Sequence, residues 1–80
     1  NMNIYFCHSK SADSGLFVIA KRRLNAIRLF SADSSIPVSK IRCTKVCVNV
    51  FENTEEIIDQ GDARLGTYNL VYLDPFGRAI

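Results

Sequence analysis

Cys7, His8 and Asp74 are the residues of this 80-residue chain whose types and positions, near the ends of expected strands, could do acid–base or nucleophilic chemistry. A thiol becomes a working nucleophile when an imidazole lies within hydrogen-bond reach. Adjacent residues on a strand point to opposite faces, so Cys7 and His8 do not form such a pair by themselves, and nothing in the sequence brings Asp74 to them. Cys43 and Cys47 are four positions apart in a stretch that reads as a strand, which separates their Cα atoms by about 13 Å. Zinc holds its sulfur ligands at about 2.3 Å, so these two cannot share one ion. Three cysteines, an odd number, fit a reducing compartment and small apolar side chains better than a disulfide scaffold or a metal site.

The remaining motif-like stretches carry no chemistry. Ser-Ala-Asp-Ser occurs at 11–14 and again at 31–34 with different flanks, and neither copy has a histidine nearby, which leaves a hydrolase triad without its base. Asp74-Pro75-Phe76-Gly77 shares letters with the kinase Asp-Phe-Gly motif, but 80 residues cannot hold a kinase and no Gly-rich loop accompanies it. The same four residues fit a type I turn, with Asp first, Pro second and Gly fourth. Gly61 and Gly66 are not followed by Gly-Lys-Ser/Thr, so there is no phosphate-binding loop. The chain reads as a protein without catalytic residues, cofactor or metal.

Charge is the more informative pattern. The formal net charge is +2. Residues 21–45 hold seven bases, Lys21, Arg22, Arg23, Arg28, Lys40, Arg42 and Lys45, against the single acid Asp33. Residues 52–62 hold five acids, Glu52, Glu55, Glu56, Asp59 and Asp62, and no base. Such segregation predicts one basic and one acidic surface region unless the fold brings them together. The bases are the first candidate binding surface; Glu55, Glu56, Asp59 and Asp62 are the second.

These residues need elements to hold them. The length allows one domain with a small core, and a stability of roughly 4–12 kcal/mol. With 48% hydrophobic and 22% charged residues the composition is that of an ordinary folded domain. Residues 3–8, rich in Ile, Tyr and Phe, predict a first strand. A polar loop ending in Gly15 leads to a second strand at 16–20, apolar on both faces and therefore central. Leu24, Ile27 and Phe30, widened by Ala26 and Leu29, predict a helix over 22–32. That helix begins without a Ser, Thr, Asp or Asn cap, and three bases stand at the positive end of its dipole. The small polar residues at 31–35 and then Pro37 end it.

The third strand is expected at 40–51. Its apolar parity switches near Thr44 and Lys45; a bulge there would return Ile41, Cys43, Val46, Val48 and Val50 to one core face, with Arg42 and Lys45 in solvent near the basic end of the helix. Without a bulge both faces would be partly covered, for example by a partner subunit. Residues 53–61 read as a capped helical turn with acids in its first turn. A fourth strand is expected at 68–73, and a short final one at 78–80. The prediction is an α+β domain in the order β-β-α-β-β: an antiparallel sheet of about four strands with one main helix on one face, plus a short helical turn near 54–60. With one helix, the other sheet face is expected to be open, bearing Tyr5, Phe17, Ile19, Val71, Tyr68 and Tyr72, as a partner surface or a homodimer contact.

No apolar run approaches a membrane span, and the start lacks the basic n-region and long apolar stretch of a signal peptide, so a cytoplasmic location is expected. Asn1 ahead of Met2 reads as an added residue, with the natural chain expected to begin at Met2.

Two functions follow from this. The first is a small non-enzymatic binding protein that blocks or modulates a larger protein or ribonucleoprotein complex, with Arg and Tyr as interface anchors. The alternative is direct nucleic-acid binding, the bases meeting phosphates and sheet aromatics stacking on bases. Against that alternative stand a pI of about 8.6, below the value above 9 of strongly basic binding domains, and the absence of a Gly-aromatic RNA-binding signature. In its order of elements, though in no motif, the chain resembles the small single-domain inhibitors encoded by phages and mobile elements, anti-CRISPR proteins among them. That resemblance implies a bacterial defence complex as the partner and its nucleic-acid or nuclease function as what is blocked.

Overall fold

The computed structural model describes residues 1–12 and 14–71. In chain order the elements are β1 (Met2–Ser9), β2 (Gly15–Ala20), α1 (Arg23–Ser34), β3 (Ile41–Val50) and β4 (Glu56–Ile58), with 3-10 turns at Val38–Lys40 and Ala63–Thr67. The strands form one antiparallel sheet in the order β3-β1-β2-β4. This is the α+β, β-β-α-β-β arrangement that the apolar periodicity predicts.

The sheet separates two cores. On the helix side, Tyr5, Cys7, Val18, Ala20, Ile41 and Cys43 pack with Ala26 and Phe30 of α1. On the other side, Met2, Ile4, Phe17, Ile19, Val46, Val50 and Ile58 pack with Leu65, and Phe6, Cys47, Tyr68 and Leu70 lie against them. The expected open face is therefore covered by the chain that follows β4. Phe17 and Ile19 are buried beneath it, and Tyr5 belongs to the helix side. The cause is β2 itself: a central strand that is apolar on both faces exposes one unless a second layer covers it.

The stretch expected to form a helical turn near 54–60 is instead the edge strand β4, with Phe17 opposite Ile58, Val18 opposite Ile57 and Ile19 opposite Glu56. Strand geometry sends the adjacent Ile57 and Ile58 to opposite faces, and each joins a different core. Pairing also satisfies the outer backbone groups of β2. These gains exceed the few tenths to about 1 kcal/mol that a capped turn offers locally. The fourth strand is thus β4; residues 68–71 of the stretch expected in that place are not strand, and Tyr68 and Leu70 serve as cover. The rest of that expected strand, the turn at 74–77 and the final strand at 78–80 lie outside the described residues.

β3 does carry a bulge at the parity switch. Tyr5 pairs with Lys45 and Ile4 with Cys47, which leaves Val46 as the extra residue; a second shift follows before Met2 meets Val50, where Asn49 has φ 57°. The bulge does not gather the five apolar residues on one face. Ile41 and Cys43 stay on the helix side, Val46 and Val50 enter the second core, and Val48 is 56% exposed. With apolar cover on both sides of the sheet, a strand that changes parity has a core to meet on each.

α1 buries Ala26 and Phe30, four positions apart, while Leu24 is 48% exposed and lies outside the buried stripe. Arg22 stands at its start without a side-chain cap. At its end Ser35 adopts the left-handed conformation (φ 63°) and its N–H bonds the Ser31 carbonyl at 2.9 Å. Cys7 and Cys43, cross-strand neighbours with Cα atoms 4.1 Å apart, form a disulfide. This corrects the expectation of three unpaired thiols: the pairing lies in the β1–β3 register, which sequence spacing does not show. Closing a loop of 36 residues removes about 4 kcal/mol of unfolded-chain entropy in the loop-closure picture. The odd cysteine count no longer argues for a reducing compartment. Among the described residues no helix is long and apolar enough to cross a membrane.

Candidate interaction surface

All seven bases of the first candidate surface are exposed. They do not form one patch. Lys21 follows β2, Arg22 and Arg23 open α1, and Arg28 lies two positions from the buried Ala26, on the outer side of the helix with Leu24 one turn before it. Ala20 pairs with Asn3, whereas Arg42 pairs with His8, five positions further along β1 and so about 17 Å away. Arg42 and Lys45 are also on opposite faces. Lys45 sits opposite Tyr5, which packs toward α1; Arg42 sits opposite His8, whose ring meets Phe6 of the second core at 5.7 Å. The expectation that both lie near the basic end of the helix fails because strand periodicity sends residues three positions apart to opposite faces. Lys21, Arg22 and Arg23 are consecutive at the start of α1, and Arg28 stands on its outer side.

The acids of the second candidate surface are mostly engaged within the fold. Glu55 accepts hydrogen bonds from the Lys21 backbone N–H and from Asn25 Nδ2, both at 2.9 Å. The Asn25 amide first, and then the Lys21 N–H, hold its carboxyl below the ordinary value near 4.5. Glu55 thereby supplies from a distant segment the carboxylate that the start of α1 lacks. Asp62 caps the turn Ala63–Thr67 by accepting from the Arg64 N–H at 2.8 Å, and pairs with the Arg64 guanidinium at 3.1 Å. Those Arg64 contacts lower the Asp62 carboxyl. Glu56 forms the second ion pair of Arg64. The Asp59 side chain is exposed. Glu52 accepts the Tyr68 hydroxyl, and burial first, with this hydrogen bond second, pushes the phenol up to about 12. The acidic segment also meets the basic one at Lys21, so the charges are less segregated than along the chain.

The Cys7–His8 neighbourhood does not make a nucleophile. The Cys7 sulfur is held in the disulfide. His8 is buried, and its Nδ1 faces two carbonyl oxygens, Ser9 and Ala12, each at 2.7 Å. Nδ1 therefore carries the hydrogen and donates it, which fixes the ring as a clasp for the loop after β1. Asp74 lies outside the described residues. Among the described residues no three His, Cys, Asp or Glu side chains are grouped as metal ligands would be.

Sequence reasoning missed Asn25 and Arg64, whose roles depend on contacts made by folding, and a shallow, open depression at the β3 edge. Lys45, Val46, Cys47, Val48, Asn69 and Val71 line that depression, and the Val71 N–H bonds the Val46 carbonyl at 2.7 Å beside it. No known protein family, curated protein or solved structure matches this chain.

Proposed function

We propose that the protein is a non-enzymatic binding module that occupies an acidic surface of a larger protein or ribonucleoprotein complex through the outer side of α1. One observation carries this reading: Lys21, Arg22, Arg23 and Arg28 are exposed and form no ion pair among the described residues, while Glu55, Glu56 and Asp62 are bound within the fold. The charge left over for a partner is basic. Charges of this kind set orientation and association rate, and the bulk of the domain then blocks what lies beneath. The exposed Leu24 beside Arg28 gives the contact an apolar element. The layout shared with small mobile-element inhibitors makes a cytoplasmic defence complex the partner class this reading expects.

Nucleic-acid binding is the second reading, supported by the same four bases. It loses its stacking platform, since Phe17 is buried and Phe6 and Tyr68 are part of the second core. Phosphate contacts remain to it, with Phe51, 88% exposed, as its one exposed aromatic among the described residues.

Two measurements test the proposal. The purified protein is titrated against single- and double-stranded nucleic acids across salt, and no binding at low salt is expected; binding with a log–log salt slope of several units would transfer the basic surface to phosphates. Capture of a partner from bacterial lysate is then compared between the wild type and Arg22→Glu/Arg23→Glu/Arg28→Glu. The variant should lose the partner while its melting temperature stays within a few degrees. Equal capture by both proteins sinks the role of the helix.

A further inference from the structure

We propose that the Cys7–Cys43 pair is a redox-operated staple that decides how firmly the edge strand β3 is held on the sheet. The location of the bond carries the inference. β3 stands at one end of the strand order, so β1 is its only strand partner among the described residues. The β1–β3 ladder is interrupted twice, between Met2 and Ile4 and between Ile4 and Tyr5. Its uninterrupted part consists of the pairs Tyr5–Lys45, Phe6–Thr44, Cys7–Cys43, His8–Arg42 and Ser9–Ile41. The disulfide occupies the middle pair of that run. It therefore clamps the regular stretch of the β1–β3 ladder, and leaves the bulged half to the separate pairs Ile4–Cys47 and Met2–Val50 and to the Val71–Val46 backbone hydrogen bond.

The chemistry is thiol–disulfide exchange with a dithiol. A thiolate of the dithiol attacks one sulfur of the pair, the S–S bond breaks, and the mixed disulfide is resolved by the second thiol. Two electrons and two protons pass to Cys7 and Cys43, and the dithiol leaves oxidised. Cys7 is fully buried and Cys43 is 4% exposed, so attack requires β3 to lift first. Reduced, the two thiols are small apolar side chains that the helix-side core can retain. The sheet then keeps its architecture, while β3 loses the constraint that made its opening rare. Cys47 takes no part, because it packs on the opposite face of the sheet from Cys43.

Two experiments on the whole protein test this. After treatment with oxidised glutathione, a non-reducing tryptic digest should contain peptide 1–10 joined to peptide 43–45, with Cys47 unlinked in peptide 46–64; any other linkage, or none, overturns the proposal. Hydrogen exchange is then compared before and after dithiothreitol. β3 amides should lose at least about 10-fold more protection than β2 amides, beyond any loss shared by every strand. Unchanged β3 protection overturns the staple, and equal loss in every strand overturns its restriction to β3. Cys7→Ala/Cys43→Ala should match the reduced protein without dithiothreitol. Should that variant fail to fold, Cys47→Ala, which keeps the pair and removes the third thiol, supplies the same comparison.

Discussion

Glu55 and Asn25 are 30 positions apart, and the carboxylate of the first accepts a hydrogen bond from the side-chain amide of the second at 2.9 Å. The same oxygen takes the Lys21 backbone N–H, so one acid from the approach to β4 ties the residue before the helix to the first turn of a helix that has no cap of its own. The relationship fastens the second half of the chain to the first at the point where their charges are opposite.

Glu55→Ala should destabilise the protein by about 1 kcal/mol near neutral pH, for the loss of two hydrogen bonds to a part-exposed carboxylate. Because folding lowers the pKa of this carboxyl, its stabilisation is complete above the ordinary value near 4.5 and is lost as pH falls through the lower folded value. Urea unfolding of both proteins at pH 7 and at about pH 3 measures this. The gap between them should close on acidification; a constant gap would assign the effect to packing.

Phe30→Ala and Leu24→Ala distinguish the buried side of α1 from its outer side. Phe30 is 4% exposed and should cost about 3–5 kcal/mol. Leu24, at 48% exposed, should stay within about 0.5 kcal/mol. Equal losses in thermal melts would mean that the helix presents a different face to the sheet.

Gly15→Ala should fail through sterics. A Cβ at this position would lie 2.1 Å from the Cys7 carbonyl oxygen and 2.9 Å from His8 Cβ, inside the sheet where β1 and β2 pair. Backbone has to move, and a loss of at least about 2 kcal/mol is expected, with β1–β2 amides exchanging faster. A variant as stable as the wild type would show that the strands can separate at this end without cost.

Tyr68 should ionise late. Folding raises its pKa to about 12, so the folded state retains a proton that the unfolded chain releases near 10, and stability falls as pH rises across that interval. Ultraviolet titration of the wild type against Tyr68→Phe should assign the missing late phenol to this residue. A difference spectrum centred near 10 would place the ring in water.

Much of this fold was legible because its signals are local. The apolar run 16–20, the recurrence of Leu24, Ile27 and Phe30 with Ala26 and Leu29 beside them, and the small polar stop at 31–35 each state their element within one window, although Leu24 itself is exposed. The errors come from long-range requirements. Ile57 and Ile58 look like part of a capped turn until β2 is seen to lack a neighbour and both cores a wall. Cys7 and Cys43 are partners only through the β1–β3 register. The seven bases were readable as exposed charge, but not their division, which depends on the β1–β3 register that sets Lys45 opposite Tyr5 and Arg42 opposite His8. The acids read as a second surface because Asn25 and Arg64, which hold them, carry no local mark of that task.

The layer formed by Leu65, Tyr68 and Leu70 over Ile4, Phe17 and Ile19 has a consequence for synthesis on the ribosome. The strands that need this cover emerge first, and the residues that provide it follow some 45 positions later. At 5–20 residues per second that interval lasts roughly 2–9 s. Throughout it a finished β1–β2 hairpin shows one apolar face to solvent, which makes the nascent chain a substrate for holdase chaperones well before the native protein exists.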